Sequence, residues 1–298
     1  MKKSKRLVFF GNERLATAAT TSVPVLRALI AAGYEVTAVL ASHADPISRQ
    51  KRDLEIGPVA QAHGIPVILP GEKISLADKV RRHSAEVAVL VAYGRIIPQS
   101  VIDLFPKGII NLHPSLLPEL RGPTPIETAI LKGQTGTGVS LMRIVAAMDA
   151  GPVYAQGHLK LDGSESKQIL VDKLGNLGAK LLLTELPGIL DGSRKPTLQE
   201  DRPATYTKLI KKSDGVVDWT KPAEVIEREV RAYLGWPKSQ AKLKNFDVII
   251  TKVRVAKNED DGSLVQKCGE GWLEILQLIA PSGRLVSGQE FLRGYSKD

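Results

Sequence analysis

Cysteine is almost absent from this 298-residue chain, which contains only Cys268. A single cysteine excludes an internal disulfide framework and a cysteine-rich zinc site, and it is compatible with a reducing cytosol. The five histidines show no metal-ligand spacing with one another or with Cys268, so we expect no bound metal.

Long apolar runs are missing as well. The basic N-terminus is followed by only four apolar residues, 7–10, before Gly11 and the charged residues Glu13 and Arg14. A signal peptide needs a longer apolar core, and a membrane span needs about 20 apolar residues. The sequence therefore predicts a soluble, cytoplasmic protein with no membrane partner.

The chain also lacks the glycine patterns of common nucleotide sites. The turn after the first predicted strand is Gly11-Asn12-Glu13, without the spaced glycines that bind a dinucleotide, and no P-loop pattern occurs. The sequence contains no internal repeat and no low-complexity tract. We therefore expect neither a nicotinamide nor a flavin cofactor.

What the chain has is an ordinary globular composition, with 43% apolar and 24% charged residues, and a net charge of +9. A positive balance favours an anionic partner such as nucleic acid, a nucleotide or a phosphorylated substrate. The same charge also keeps a protein in solution. Composition leaves both explanations open.

The first two thirds of the chain alternate between short apolar runs and segments of helical periodicity. Helical spacing covers residues 23–31, 57–63 and 75–82, and strand-like runs cover residues 7–10, 36–40, 66–69, 87–92 and 109–113. This alternation predicts an α/β domain built on a doubly wound, mostly parallel sheet.

Residues 188–204 are rich in glycine, proline and charge, which predicts a linker. Beyond a short helix at residues 223–233, the pattern changes to short strands separated by turns. We therefore expect a larger domain at 1–187 and a smaller β-rich domain at 205–298. A barrel is the simplest way for that smaller domain to hide its strand edges.

Two polar residues share one predicted strand. In residues 109–113, alternation places Asn111 and His113 on the same face, and Pro114 ends the ladder directly after them. Ligands of open α/β sheets bind at the carboxyl ends of the strands. The pair is therefore a candidate site, although a structural asparagine or histidine would explain either residue alone.

The loop that follows has the sequence Ser115-Leu116-Leu117-Pro118. Its leucines either form the wall of a pocket for a flat organic ring or fold back onto the core. Asp149 comes after an apparent strand at 139–145 and lies two residues before Gly151. By itself, an aspartate in that position is typical of a turn.

Together these motifs resemble the folate-dependent formyltransferases. The resemblance rests on Asn111-x-His113-x-Ser115-Leu116-Leu117-Pro118-x-x-Arg121-Gly122, on Met148-Asp149-x-Gly151, and on Val91-Ala92-Tyr93-Gly94-x-Ile96-Ile97-Pro98. Later in the chain, Thr205-Tyr206 and Arg231-Ala232-Tyr233-x-x-Trp236-Pro237 resemble the interdomain and C-terminal segments of the methionyl-tRNA formyltransferases. The resemblance covers nearly the whole chain and implies a Rossmann-like catalytic domain followed by an OB-like β-barrel.

The resemblance implies that a monomer transfers a formyl group from 10-formyltetrahydrofolate, a co-substrate, to the α-amino group of methionyl-tRNA, supporting translation initiation. It implies catalytic roles for Asn111, His113 and Asp149. Contacts with the folate are implied for Ser115, Leu116, Leu117, Pro118 and Tyr93. The candidates for tRNA contact are Arg49, Lys51, Arg52, Lys208, Lys211 and Lys212, although runs of charge are usually solvated surface.

The chain departs from that family's pattern in its loops. The usual Gly-Thr-Pro-x-Phe after the first strand is replaced by Gly11-Asn12-Glu13-Arg14-Leu15. The loop after the second predicted strand keeps its basic charge but not its glycine. Glu119 stands where a basic or aromatic residue is common.

Formyl transfer passes through a tetrahedral intermediate with an oxyanion, which needs hydrogen-bond donors aimed at the developing charge. The Asn111 amide is such a donor, His113 can donate or relay a proton, and Asp149 can orient His113 or accept a proton. Three alternatives remain open from the sequence: a formyltransferase for a nucleotide-linked aminosugar, a catalytically silent binding protein on the same fold, and a formyl-folate hydrolase.

Overall fold

The computed structural model describes residues 5–42, 54–69, 75–258 and 262–295, and within them seven strands form the larger sheet. These strands are β1 (Arg6–Gly11), β2 (Glu35–Leu40), β3 (Val67–Ile68), β4 (Val87–Val91), β5 (Ile109–His113), β6 (Gly136–Arg143) and β7 (Val153–Lys160). Their order across the sheet is β3-β2-β1-β4-β5-β6-β7.

The sheet is mostly parallel, as predicted. Strands β1 to β5 pair in parallel, and β6 and β7 extend the edge beyond β5 in antiparallel pairing. The chain moves outward from β1 to β3 and then returns to β4 on the other side of β1. Strand order therefore reverses beside β1 and β4, which is where ligands of doubly wound sheets bind.

Helices cover both faces of this sheet: α1 (Pro24–Ala31), α2 (Ile56–Ala62), α3 (Leu76–Arg81), α4 (Gln99–Ile102), α5 (Pro125–Leu131) and α6 (Lys167–Asp191). Strands buried on both sides must be apolar throughout. In β1, Leu7 and Phe9 face one core with α1 and α6, whereas Val8 and Phe10 face a second core with α3 and α4. No helix in the described ranges is long and apolar enough to cross a membrane.

Helix α6 packs directly behind β5. A Cβ atom at Gly178 would lie 2.3 Å from Cδ1 of Leu112. The helix can therefore pack this closely against β5 only because residue 178 has no side chain. The helix ends at Asp191, where Gly192 adopts a left-handed conformation with φ 81°. Residues 188–191, which the sequence assigns to the start of the linker, thus form the last turn of α6.

The smaller, curled β domain that the sequence predicts follows in the C-terminal part. Its described elements are α7 (Ala223–Tyr233), β8 (Ser239–Leu243), β9 (Phe246–Ala256), β10 (Val265–Lys267), β11 (Trp272–Ile279), β12 (Leu285–Ser287) and α8 (Gly288–Tyr295). The antiparallel order is β10-β11-β9-β8, with β12 on β11. A register shift between Ile275 and Gln277 bends the sheet, and Ile226 and Phe291 fill its core from α7 and α8.

Between the two domains the chain passes back over the larger one, and we call residues 197–207 the connecting segment. Val153 and Thr197 exchange two backbone hydrogen bonds of 2.8 Å. Farther along, Arg121 N donates to Thr205 O at 2.9 Å, and Thr207 N donates to Arg121 O at 2.8 Å. The connecting segment is therefore held to the larger domain by two isolated β-bridges, Val153 with Thr197 and Arg121 with Tyr206.

Candidate active site

Asn111 and His113 lie at the carboxyl end of β5, on the face opposite Leu112. They are only 6% and 4% exposed. Ile110 and Leu112 point into the core that α6 covers, so the strand alternation leaves both polar side chains on the other face. The Asn111 amide has no hydrogen-bond partner among the described residues.

The imidazole of His113 is held by a backbone carbonyl. Its Nε2 lies 3.0 Å from Leu120 O. A carbonyl can only accept, so in the neutral ring Nε2 carries the proton and Nδ1 carries the lone pair. Leu120 adopts a left-handed conformation, with φ 57°, and this backbone geometry directs its carbonyl at the histidine.

Asp149 reaches the site from the connection between β6 and β7. Its Oδ2 accepts a hydrogen bond from Gly122 N at 2.8 Å and lies 3.8 Å from Nδ1 of His113. The second distance is too long for a hydrogen bond but short enough for electrostatic attraction to a protonated ring. Asp149 has a left-handed backbone, with φ 47°, so it occupies a turn and also faces the histidine.

The loop after β5 is folded against the sheet. Ser140 Oγ donates to Ser115 O at 2.7 Å and accepts from Leu117 N at 3.0 Å. Ser115 and Leu117 are buried, whereas Leu116 and Pro118 are half-buried. Of the two explanations that the sequence leaves open, folding onto the core applies to Ser115 and Leu117, and only Leu116 and Pro118 offer surface to a ligand.

Tyr93 is placed inside the second core rather than on the surface. Its ring packs edge-on against Phe10 at 5.4 Å between centroids, and it is 2% exposed. Burial raises the pKa of the Tyr93 phenol. The exposed residues of this turn are its neighbours Gly94, Arg95 and Ile96.

Glu13 is a buried acid that the sequence does not single out. Its carboxylate accepts from Val25 N at 2.9 Å and Leu26 N at 2.8 Å, at the start of α1. Burial raises its pKa to about 7, although these two donors act in the opposite direction. In dinucleotide-binding folds a phosphate takes such amide donors, and here an internal carboxylate occupies them.

The connecting segment adds Gln199, which no motif in the sequence indicates. Its side chain donates to Asp149 O at 2.8 Å and to Gly151 O at 2.6 Å. On its other side it accepts from the guanidinium of Arg121. A single glutamine within a Gly-, Pro- and charge-rich stretch has no periodicity or spacing that would mark it.

The basic residues proposed for tRNA contact divide into two groups. Lys208, Lys211 and Lys212 are exposed and follow the connecting segment. Lys208 is anchored near the site through its backbone oxygen, which accepts from Thr124 Oγ1 at 2.8 Å. The other three candidates lie outside the described residues: Arg49, Lys51 and Arg52.

Comparison with known families identifies both parts of the chain. The family model described as Formyl transferase matches residues 10–186, and the one described as Formyl transferase, C-terminal domain, matches residues 209–296. A protein of Chloroflexus aurantiacus named methionyl-tRNA formyltransferase is 37% identical, over 98% of this chain and 98% of its own length.

Solved structures of low identity share the fold. An N-formyltransferase from Helicobacter canadensis, in complex with folinic acid and dTDP-3-aminofucose, has a TM-score of 0.68 at 17% identity, covering 92% of this chain and 98% of that one. A methionyl-tRNA formyltransferase from Clostridium thermocellum has a TM-score of 0.56 at 16% identity, covering 95% and 99%. These likenesses concern the fold alone.

Proposed function

This chain belongs to the formyl transferase family, and we propose that it transfers a formyl group from 10-formyltetrahydrofolate to the α-amino group of methionyl-tRNA, supporting translation initiation. The observation that carries the chemistry is the convergence of Asn111, His113 and Asp149 at the carboxyl end of β5. The acceptor is supported by a relative named methionyl-tRNA formyltransferase that matches 98% of the chain.

Asn111 supplies the oxyanion donor in this proposal. Attack of the amine on the formyl carbon turns the carbonyl oxygen into an oxyanion, which is stabilised by a donor that is already in place. An amide does not titrate, so it donates at every pH. Since Asn111 is 6% exposed and has no partner among the described residues, it is available for this bond.

In this proposal, His113 accepts the proton that the attacking amine loses, and Asp149 stabilises the charge that forms on His113. The Nε2 hydrogen of His113 is used by Leu120 O, so Nδ1 is the nitrogen that takes the proton lost by the attacking amine. The Asp149 carboxylate, 3.8 Å from Nδ1, stabilises the resulting imidazolium. The C–N bond to the folate then breaks and the leaving nitrogen takes up the proton, so no covalent enzyme intermediate is required.

The folate contacts involve two layers of residues. Leu116 and Pro118 are half-buried and offer an apolar wall to the ring of the donor. Ser115, Leu117 and Tyr93 are buried, and we propose that they support that wall from behind. Their contribution is therefore to shape the pocket rather than to touch the ligand with their side chains.

The tRNA contacts are proposed at Lys208, Lys211 and Lys212, which are exposed beside the segment that borders the site. Arg49, Lys51 and Arg52 lie outside the described residues, and their proposed contacts with tRNA rest on the sequence alone. Lysines that neutralise phosphates bind nucleic acid without reading its sequence. We propose that the enzyme acts as a monomer in the cytoplasm, where its tRNA substrate is used.

Incubation of the protein with 10-formyltetrahydrofolate and either methionyl-tRNA or a dTDP-linked aminosugar tests the function. We expect formyl-methionyl-tRNA as the product, and we expect the Asn111→Ala variant to lose most of it. Formylation of the sugar alone would contradict the tRNA acceptor. Formate released without any acceptor would indicate a hydrolase, and no turnover of the donor would favour a binding protein.

A further inference from the structure

The connecting segment contacts both sides of the candidate active site. On one side, Leu120 N donates to Thr205 Oγ1 at 2.9 Å, and Leu120 is the residue whose carbonyl holds His113. On the other side, Gln199 reaches the turn that carries Asp149. The relative placement of His113 and Asp149 therefore depends on a segment that belongs to neither β5 nor the β6–β7 connection.

Gln199 uses both ends of its carboxamide. Nε2 donates to Asp149 O at 2.8 Å and to Gly151 O at 2.6 Å, so it closes the turn around Asp149. Oε1 accepts from Nε of Arg121 at 3.1 Å and from Nη2 at 2.9 Å. With two donated and two accepted bonds, the amide has one orientation that satisfies all its partners.

Arg121 gives this amide a rigid base. Its side chain is 2% exposed, and Nη1 donates to Asp201 Oδ1 and to Tyr206 OH, both at 3.0 Å. Its guanidinium also lies over the Tyr206 ring, 5.7 Å from the centroid. A buried guanidinium with all these partners is costly to move, so Gln199 is held in place from behind.

We propose that Gln199 is a positioning residue that fixes Asp149 relative to His113. The inference rests on the proposed function for its effect on turnover, but the tether itself does not depend on any substrate. Asp149 has a left-handed φ of 47°, a conformation that costs a non-glycine residue energy and persists only where its surroundings hold it. The two bonds donated by Gln199 supply that restraint on the backbone of the turn.

Gln199→Met is the principal variant, because it keeps the length of the side chain and removes the carboxamide, so that the carbonyls of Asp149 and Gly151 lose their donor and Arg121 loses its acceptor. Small displacements of a catalytic group reduce rates strongly, so we expect kcat for formyl transfer to fall roughly 10- to 100-fold, with little change in KM for either substrate. Gln199→Glu is the second variant. Its carboxylate still accepts from Arg121 but cannot donate to the carbonyls of Asp149 and Gly151, so it should show the same loss even if the methionine variant folds poorly.

Glu200→Gln is the matched control. It changes the exposed neighbour of Gln199 in the connecting segment and leaves the bonds of Gln199 and Arg121 unchanged, so activity should stay near that of wild type. A double-mutant cycle with Asp149→Asn identifies the route of the effect. If Gln199 acts through Asp149, adding Gln199→Met to Asp149→Asn should cause little further loss. A full, independent loss in that background would overturn the proposal.

Hydrogen exchange of residues 146–151 tests the tether without any substrate. We expect faster exchange in Gln199→Met than in wild type or Glu200→Gln, because the turn loses its restraint. Unchanged exchange together with unchanged kcat would overturn the inference while leaving the proposed function intact. If exchange is faster in Gln199→Met but the wild-type protein formylates no acceptor, the tether would be supported and the proposed function contradicted.

Discussion

At the scale of single residues, Asn111 is the proposed oxyanion donor, and we expect its loss to affect the chemical step most directly. Removing one preorganised oxyanion donor typically costs about 3 to 4 kcal/mol in the barrier, so Asn111→Ala should lower kcat by about 100-fold or more. Steady-state kinetics measure this effect. Asn176→Ala is the control, since Asn176 lies on α6 and bonds only the Asp172 carbonyl among the described residues. Near-wild-type turnover in folded Asn111→Ala would remove Asn111 from the mechanism.

Glu13 links the stability of the same sheet edge to pH. Its pKa is about 7 in the folded chain, against 4.5 for an ordinary glutamate. Below pH 4.5 the carboxyl is protonated in both the folded and the unfolded states, so it adds no pH dependence. Between pH 4.5 and 7 only the unfolded state has lost the proton, and stability therefore falls as pH rises. Above pH 7 the carboxyl is ionised in both states, so the loss of stability caused by its burial no longer changes with pH.

This difference corresponds to roughly 3 kcal/mol of unfolding free energy across that interval. Urea unfolding at a series of pH values should show the decline in wild type and a flatter profile in Glu13→Gln. In glutamine, an NH2 group also takes the place of one of the two oxygens that accept from the backbone amides of Val25 and Leu26. The stability lost in this way is the same at every pH. The exposed residue Glu86 provides the control: Glu86→Gln should keep the wild-type slope. Identical slopes in wild type and Glu13→Gln would contradict the raised pKa.

At the scale of elements, the contact between α6 and β5 depends on one missing side chain. In Gly178→Ala, the new methyl group would meet Leu112 at 2.3 Å, and overpacking of this kind costs about 1 to 3 kcal/mol. Because Leu112 lies between Asn111 and His113, we expect kcat to fall as well as the free energy of unfolding. Urea unfolding and kinetics on the same preparation measure both effects.

Gly294→Ala is the matched helical control, since no described atom apart from its chain neighbours and its own helix backbone lies within 4 Å of a Cβ at Gly294 in α8. Alanine is the better helix former by roughly 0.5 to 1 kcal/mol, so this variant should be neutral or more stable. A gain of stability in both variants would show that α6 can move away from β5 without cost.

At the scale of the whole molecule, the two domains are joined by more than the connecting segment. Lys167 Nζ donates to Trp236 O at 3.0 Å, and Arg231 Nη1 donates to Glu165 O at 2.8 Å. Both bonds run between α6 or the turn before it and the C-terminal part of the chain. A tRNA that binds to the lysines after the connecting segment therefore binds to a surface that is attached to the catalytic domain at several points.

The whole-molecule prediction concerns salt. If Lys208, Lys211 and Lys212 each neutralise one phosphate, replacing all three with alanine should reduce the slope of log affinity against log salt by about three units. Binding of methionyl-tRNA at several salt concentrations measures this slope. Lys180→Ala, on the exposed side of α6, should leave the slope unchanged. Affinity that does not depend on salt would contradict a phosphate interface.

Periodicity allowed much of the fold to be predicted. The apolar strands buried on both faces indicated a parallel sheet, and β6 with β7 is the antiparallel addition that only the structure revealed. Alternation within residues 109–113 placed Asn111 and His113 on one face because the strand period is two, whatever the strand packs against. The candidate site as a whole could not be predicted in this way, because it also depends on residues far apart in the sequence. Gln199 lies 50 residues from Asp149 along the chain, and no local pattern records a contact between two loops.

The α/β class, the smaller β domain and the shared face of Asn111 and His113 could all be predicted from the amino-acid sequence. Each of these follows from residue spacing and from which side chains must avoid water. Which nitrogen of His113 is free could be seen only in the folded chain, since that depends on Leu120 O. The fold also places Asp149 beside His113 and brings Gln199 and Arg121 against its turn. These are contacts between distant loops, whose positions are set by the packing of the elements they connect.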